Sequence, residues 1–262
     1  MAEYLLFDVK DKIATITFNR PDKLNAFTDA MLDAWLGALE ECRVSDAVNV
    51  IVITGTGRAF TTGGDIGGFG DSAANTPADI KNRIKENIQR LPRKLDTIDK
   101  PVIAALNGFA TGGGLDVALM CDIRFAAESA RFAETYVRMG LIPGVGGAYF
   151  LPRIIGSARA LEMFWSSEFI DAREAERLGL VNKVFPDDLL MPKTYEFAER
   201  IAKSAPLAVR LVKRILYQGL NTDLDTALDI VAANMPVVRA SEDHREAVQA
   251  FKEKREPQFN GR

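Results

Sequence analysis

Residues 101–116 read PVIAALNGFATGGGLD, and this stretch decides the class of the fold. Residues 101–106 are a continuous apolar run, which is typical of a strand buried on both faces. The run continues through Asn107-Gly108-Phe109 into the triple glycine 112–114, and a helical pattern begins at Leu115. A buried strand that passes through a glycine turn into a helix predicts an α/β fold with parallel strand pairing.

A second glycine-rich turn follows another buried strand. Residues 50–53 (VIVI) are β-branched, and residues 59–66 (AFTTGGDI) follow shortly after. Glycine permits close approach of the backbone to a ligand, and a helix start offers unpaired N–H groups to negative charge. Two such donors aimed at one carbonyl oxygen form an oxyanion hole, where losing one donor costs about 2.7–4 kcal/mol. Glycine alone leaves open the alternative of two tight turns without a catalytic role.

The rest of the pattern alternates strands and helices before a helical end. Residues 4–9, 13–18, 123–126 and 181–184 are strand-like, whereas the 77–98 segment has helical spacing with a kink or break expected at Pro92. Thr28 is a predicted helix N-cap. From about Tyr195 only helical pattern remains. We therefore predict a core over residues 1–195 and a helical region over residues 196–262 that packs on the core or on a neighbouring subunit.

The composition and the motifs of the chain exclude several kinds of partner and catalytic site. The 262 residues carry a formal net charge of −3, which predicts no nucleic-acid or membrane partner. Cys42 and Cys121 lie in apolar contexts and are expected to be buried reduced thiols in the cytoplasm. There is one histidine, and no dinucleotide, P-loop, nucleophile-elbow or zinc motif occurs. We expect no metal site, and chemistry based on carboxylates, tyrosines, backbone amides and water.

Ten short segments together resemble the crotonase superfamily (enoyl-CoA hydratases and isomerases) across nearly the whole chain. Their order and spacing carry the resemblance, and they are residues 19–21, 24–26, 60–66, 107–114, 121–124, 140–147, 151–153, 172–184, 241–243 and 251–255. The resemblance implies a spiral of ββα units followed by a helical trimerisation region. It also implies a homotrimer or dimer of trimers that acts on an acyl-CoA thioester, with coenzyme A as part of the substrate and no separate cofactor.

The resemblance also assigns binding roles by position. The amides of Gly64 and Gly113 would form the oxyanion hole, and Lys254 would reach a CoA phosphate of this or a neighbouring subunit. Lys23 and Lys254 have the alternative of being ordinary surface lysines. The other positions that would contact the acyl-CoA are Lys23, Leu24, Ala26, Thr62, Asp65, Ile66, Phe109, Pro143 and Gly144.

The acid/base positions depart from the family pattern. Family hydratases place one Glu two residues after the triple glycine and a second before the Gly-x-x-Pro-Gly turn; here these positions are Asp116 and Tyr136. Asp116 is shorter than Glu by about 1.5 Å, and it has the alternative role of a helix-first-turn acid. Tyr136, with an ordinary pKa of about 10, can donate a hydrogen bond, position water or line the acyl pocket, but cannot be a general base. Glu134 points away if its segment is extended and enters the site if that segment is irregular.

These residues predict an enolate-forming enzyme, with hydration of an enoyl-CoA as the first expectation. The alternatives are an isomerase that uses a single carboxylate, a thioester hydrolase or decarboxylase, and a non-catalytic acyl-CoA binding protein. An aromatic-rich acyl pocket would favour a cyclic or branched acyl group, and its expected members are Phe69, Tyr136, Tyr149, Phe150 and Trp165.

Overall fold

The structure, a computed structural model, describes residues 4–65, 67 and 76–262. These residues form two sheets. The six-stranded sheet has the order β1-β2-β3-β5-β7-β10 and the four-stranded sheet has the order β4-β6-β8-β9. The strand bounds are β1 Leu5–Lys10, β2 Ile13–Phe18, β3 Val50–Gly55, β4 Ala59–Thr61, β5 Val102–Leu106, β6 Phe109–Thr111, β7 Ile123–Ala127, β8 Arg131–Ala133, β9 Ile170–Asp171 and β10 Lys183–Phe185.

Successive chain segments repeat one arrangement, a strand in each sheet followed by helix. The first strands of these units, β3, β5 and β7, are parallel neighbours in the larger sheet. The second strands, β4, β6 and β8, are parallel neighbours in the smaller sheet. Antiparallel pairs occur where β1 meets β2 and where β8 meets β9. The predicted α/β spiral of ββα units is therefore confirmed.

The helices follow the predicted pattern with one shifted break. Thr28 caps α1 by accepting a hydrogen bond from the Met31 amide, as predicted. The 77–98 segment forms two helices, and the break lies at Asn87 rather than at Pro92. Pro92 lies in the first turn of α3, where an amide hydrogen has no intrahelical partner, so proline is tolerated there. The bounds are α1 Asp29–Val44, α2 Pro77–Glu86, α3 Arg90–Asp96, α4 Gly113–Leu119, α5 Gly147–Ile155, α6 Ser157–Ser166, α7 Ala172–Leu178, α8 Leu190–Ala202, α9 Pro206–Gly219, α10 Leu224–Ala240 and α11 Glu242–Glu253.

The helical C-terminal region begins with α8, which lies against the larger sheet. Leu190, Ala198 and Ala202 of this helix join the apolar cluster of β3, β5 and β7. The predicted division at residue 195 falls inside α8; it stays a prediction. In contrast, α9 and α10 contain no buried residue.

Asn25 connects the first glycine turn to the chain before it. Its side chain is fully buried. The amide nitrogen donates to Thr56 O (3.0 Å) and Ala59 O (2.8 Å), and the amide oxygen accepts from Arg20 N (2.7 Å). Asn25 has φ of 57°, a left-handed conformation that asparagine adopts more readily than most residues. The 20–26 loop is therefore fixed against β4.

Replacing Asn25 with Ala should lower the free energy of unfolding by about 2–4 kcal/mol, because the Thr56 carbonyl and the Arg20 amide lose their hydrogen bonds to Asn25 and alanine is strained in the left-handed conformation. Urea unfolding followed by circular dichroism measures this loss. A loss below about 1 kcal/mol would mean that water replaces the amide and that Asn25 does not hold the loop.

Candidate active site

The two glycine turns meet backbone to backbone. A Cβ atom on Gly63 would lie 2.9 Å from the Gly113 nitrogen, and one on Gly114 would lie 2.0 Å from Thr61 O. Real Cβ atoms do not approach other atoms so closely, so neither position accepts a side chain without backbone movement. Because β4 and β6 are parallel neighbours, their carboxyl ends bring the two turns to the same edge of the smaller sheet.

This contact leaves two amides free at one place. Gly113 is the first residue of α4, where the helix itself supplies no acceptor for the amide. The 62–65 segment bonds to the 24–27 segment through Gly63 O and the amides of Thr62 and Asp65, which leaves out the Gly64 amide. Neither the Gly64 nor the Gly113 N–H donates a hydrogen bond to another described residue. The predicted oxyanion-hole positions are thus unpaired and close together.

A cleft of about 570 Å³ opens beside Gly64. Five predicted residues line it together with others that the sequence did not single out. The lining residues are Lys23, Ala26, Thr62, Gly64, Asp65, Gly67, Thr135, Arg138 and Met139. Arg138 adds a second cation near Lys23. Sequence reasoning missed it because a lone arginine in a turn has no distinguishing pattern.

Arg20 braces one wall of this cleft. Its guanidinium donates to Ala26 O (2.6 Å) and pairs with Asp65 (3.1 Å). The Gly67 amide and the Arg20 guanidinium both lower the pKa of Asp65, which is therefore a carboxylate at neutral pH. The adjacent Leu24, which has φ of 51°, accepts a hydrogen bond from the Thr62 amide (3.2 Å). The cleft is thus built from a loop that bonds directly to the first glycine turn.

Several predicted binding residues do not line the cleft of this chain. Leu24 holds the loop, Phe109 packs edge-on against Phe169, and Gly144 accepts a hydrogen bond from Gln89 (3.4 Å). The others in this group are Pro143, which is half-buried, and Lys254, which is exposed at the end of α11. Ile66 and Phe69 lie outside the described residues.

Two of the four expected aromatic side chains that the structure describes are largely exposed in this chain. Trp165 is 69% exposed and Tyr149 is 49% exposed, with its ring under the Arg153 guanidinium. Phe150 is half-buried against Gly146. Tyr136 alone among the described aromatic candidates contacts the predicted catalytic residue. The expectation of a cyclic or branched acyl group stays a prediction.

Asp116 and Tyr136 are joined directly. The Tyr136 hydroxyl donates to Asp116 Oδ2 at 2.6 Å, and this hydroxyl lies 3.5 Å from the position of a Cβ atom on Gly113. Asp116 is fully buried in the first turn of α4. A Cβ atom on Gly147 would lie 2.0 Å from Asp116 Oδ1, so the start of α5 packs directly on the carboxylate. The sequence-predicted pair therefore forms one hydrogen-bonded unit beside the free amide of Gly113.

Burial brings the pKa of the Asp116 carboxyl group closer to neutral pH. Burial raises the pKa of Asp116 to about 6, against the opposing effect of the hydrogen bond from Tyr136. The amides of Val145 and Gly147 also favour the charged form but lie outside good hydrogen-bonding geometry, and Oδ1 has no hydrogen-bond partner among the described residues. Burial and the neighbouring Asp116 charge raise the pKa of Tyr136, so its hydroxyl keeps its proton. In this hydrogen bond the Tyr136 hydroxyl is the donor and the Asp116 carboxylate is the acceptor.

Glu134 is a second buried carboxyl group next to this unit. Its segment between β8 and the Tyr136 turn is irregular, and its side chain is turned inward. Glu134 is fully buried, and neither carboxyl oxygen has a hydrogen-bond partner among the described residues. Burial and the adjacent Asp116 carboxylate raise the pKa of Glu134 well above its usual range. The site thus contains a second carboxyl group, two residues before the family's position.

Metal sites, membrane-spanning helices and disulfides were looked for in the part of the chain that the structure describes. Those residues contain no cluster of histidine, cysteine or acidic side chains that could hold a metal ion. None of their helices is long and apolar enough to cross a membrane. Cys42 and Cys121 are buried and unpaired, as predicted.

Comparison with known proteins places this geometry in a family. Residues 8–262 match the sequence profile described as enoyl-CoA hydratase/isomerase. The chain is 36% identical to the crotonyl-CoA hydratase of Syntrophomonas wolfei, over 98% of each chain. It is 33% identical to the 1,2-epoxyphenylacetyl-CoA isomerase of Escherichia coli, over the full length of both. The crystal structure of an enoyl-CoA hydratase from Bacillus anthracis is similar with a TM-score of 0.92 and 35% identity, covering 99% of this chain and 100% of that one.

The buried carboxylate predicts a stability difference that depends on pH. The folded state keeps the Asp116 proton to about pH 6, whereas the unfolded chain releases it near pH 4, so this group's stabilising contribution is lost as pH rises through that window. Asn does not ionise in this pH range, so the Asp116→Asn variant does not lose this stability as the pH rises. The variant should therefore gain stability relative to the parent between pH 4 and 7, by at most about 3 kcal/mol.

Thermal unfolding at several pH values measures this difference. The matched control is Asp187→Asn, because the hydrogen bonds from Ser129 lower the pKa of Asp187 and its loss should have the opposite pH dependence. A constant difference between Asp116→Asn and the parent from pH 4 to 7 would contradict the raised pKa of Asp116.

Proposed function

The chain belongs to the enoyl-CoA hydratase/isomerase family, a family of enzymes, and we propose that it moves a double bond in an enoyl-CoA thioester, with Asp116 as the single base. The observation that carries this proposal is the 2.6 Å hydrogen bond from Tyr136 to Asp116. It puts a hydroxyl where family hydratases have a second carboxylate. Isomerisation needs one base that removes a proton and returns it to another carbon.

The proposed reaction begins at the two free amides. The thioester oxygen accepts hydrogen bonds from the N–H groups of Gly64 and Gly113, which stabilise the negative charge that develops there. Asp116 removes a carbon-bound proton beside the thioester or beside the double bond, and the enolate forms. Protonated Asp116 then delivers the proton to the other end of the allylic system. Asp116 returns to its carboxylate form, and the product is the isomeric enoyl-CoA.

The cleft supports binding of the coenzyme A part. Lys23 and Arg138 provide cations that suit phosphate groups, and Thr62 and Asp65 offer polar atoms beside the pantetheine path toward Gly64. Asp65 is restrained by Arg20, so the adjacent backbone is held in position before binding. In this proposal no separate cofactor takes part, since the activated group belongs to the substrate.

Hydration is the second candidate, and the names of full-length relatives favour it. The crotonyl-CoA hydratase relative shares 36% identity with this chain. In a hydration reaction Tyr136 would position the water while Asp116 handled the proton. The absence of a carboxylate at position 136 weakens this candidate, because the base that handles the carbon-bound proton would also have to activate the water.

We also propose that the enzyme is a homotrimer or a dimer of trimers. Helices α9 and α10 expose a continuous set of large apolar side chains, which monomers rarely leave uncovered. Lys213 pairs with Asp122 (2.7 Å) and Arg210 pairs with Asp99 (2.7 Å), so α9 is held on the core with its apolar side outward. The exposed set includes Val212, Leu216, Leu220, Leu224, Leu228 and Met235. An assembled enzyme could also bring Lys254 of one subunit to the cleft of another.

The reaction class is tested with two substrates. A 3-enoyl-CoA should gain the absorbance of the conjugated thioester, whereas crotonyl-CoA should lose it only if the enzyme hydrates. Asp116→Asn should slow the preferred reaction by about 10²–10⁴-fold, the usual contribution of a general base. Tyr136→Phe should cost less, about tenfold, since it removes one hydrogen bond.

The matched control is Asp188→Asn, an identical chemical change at an exposed position, which should leave turnover near the parent value. Fast loss of crotonyl-CoA absorbance with no 3-enoyl-CoA turnover would favour hydration. If Asp116→Asn and the control are equally active on every thioester, the assigned base is wrong.

Light scattering on the parent should give a mass three or six times that of the chain. Leu228→Glu places a charge in the proposed interface and should dissociate the assembly, whereas Ile80→Glu, at an exposed position on α2, should not. A parent that is monomeric at micromolar concentration would contradict the proposed assembly.

A further inference from the structure

Three buried carboxyl oxygens of the site have no hydrogen-bond partner among the residues that the structure describes. They are both side-chain oxygens of Glu134 and Oδ1 of Asp116, in residues that are fully buried. A buried polar atom without a hydrogen bond is costly, and a buried charge without compensation costs far more. Two adjacent carboxyl groups relieve this cost when one is neutral, because its O–H can donate to the other.

The backbone holds Glu134 in this place. On one side of it, Ala133 O accepts a hydrogen bond from the Gly112 amide at 2.9 Å. On the other side, Thr135 Oγ1 would lie 3.0 Å from a Cβ atom on Gly112, and the Tyr136 hydroxyl bonds to Asp116. The residues flanking Glu134 therefore contact the start of α4 on both sides, and its carboxyl group faces that of Asp116.

No cation among the described residues acts on Glu134. The titratable groups that face it are Asp116, from α4, and Tyr136, from the following turn. From the start of α5, Val145 and Gly147 present backbone amides to Asp116 rather than charged side chains. With no positive charge nearby, two carboxylates side by side would repel each other in a medium of low polarity.

We propose that Glu134 is a neutral acid that donates a hydrogen bond to Asp116 Oδ1 and so positions the base. Asp116 is then held on Oδ2 by Tyr136 and on Oδ1 by Glu134, with one negative charge for the whole group. Glu134 is a positioning residue, since it touches Asp116 and not the substrate. The proposal rests on the proposed function in one respect, that Asp116 is the base.

The charge balance of the reaction follows directly. Before reaction the pair carries one proton, on Glu134, and one negative charge, on Asp116. When Asp116 takes the substrate proton, both acids are neutral, and the negative charge resides on the thioester oxygen at the Gly64 and Gly113 amides. When Asp116 gives the proton back, the charge returns to the pair. Glu134 keeps its own proton throughout, so no external acid is required.

The protonation state of Glu134 can be read without any substrate. At pH 7 the infrared spectrum of the parent should contain the C=O stretching band of a protonated buried carboxyl group, and Glu134→Gln should remove it. Asp116→Asn should retain it, because the band belongs to Glu134. Absence of this band from the parent, or its persistence in Glu134→Gln, would overturn the proposal whether or not the enzyme is an isomerase.

The effect on the base is read from the pH dependence of kcat/KM on the preferred thioester. Glu134→Leu removes the donor, so the acid limb should move to higher pH by about one unit. Glu134→Gln keeps a neutral N–H donor and should restore the limb to near its position in the parent.

Each other outcome contradicts the proposal. A limb that moves to lower pH in both variants would mean that Glu134 is ionised and repels Asp116. A limb that moves in neither variant would mean that Glu134 only fills space. If Glu134→Leu does not fold, the spectrum and limb of Glu134→Gln still decide, because an ionised Glu134 would give no acid band and a lowered limb.

Discussion

The site depends on the contact between two glycine turns that no side chain could share. Gly63 and Gly114 lie against the backbone of the opposite turn, at distances that exclude a Cβ atom. The spiral makes this contact possible, because β4 and β6 are parallel neighbours whose carboxyl ends lie at one sheet edge. The same contact leaves the amides of Gly64 and Gly113 without an acceptor among the residues that the structure describes. Two N–H groups that could stabilise an anion therefore arise from backbone packing alone.

The electrostatics of the site follow from what surrounds Asp116. A buried carboxylate beside a cation would have a low pKa and would be a weak base. Asp116 is instead surrounded by the Tyr136 hydroxyl, the backbone amides of Val145 and Gly147 and a second carboxyl group, so burial dominates and its pKa rises to about 6. A base with a pKa near the working pH is suited to accept and return a proton. Neutral hydrogen-bond donors offset the free-energy cost of burying the Asp116 charge, and they leave the basicity of Asp116 largely intact.

The sequence predicted the architecture well because its signals were local. Buried strands, glycine turns and the Thr28 cap depend on neighbouring residues, and each was found where expected. The break at Asn87 was displaced from Pro92 because proline is harmless in a first helical turn. Trp165 was expected in the acyl pocket because its segment resembles one that lines this site in relatives; its side chain is 69% exposed in this chain, and the expectation stays a prediction. Arg138 lines the cleft because of the course of a short turn, and no periodic sequence pattern predicts that course.

The orientation of the Glu134 side chain could not be predicted from the sequence. Residues two apart in a strand lie on the same face, so the expectation that an extended segment would turn Glu134 away from the site was wrong; in the structure β8 ends at Ala133 and the following backbone is irregular. Tyr136 at the family's second carboxylate position suggested that a carboxyl group was missing. The structure instead contains a second buried carboxyl group, that of Glu134, next to Asp116. A carboxylate at the position of Tyr136 could activate water, whereas in our proposal the Glu134 carboxyl group affects the strength and orientation of Asp116. The difference between two catalytic carboxylates and one supported carboxylate is therefore a matter of which residue in a short irregular segment turns inward.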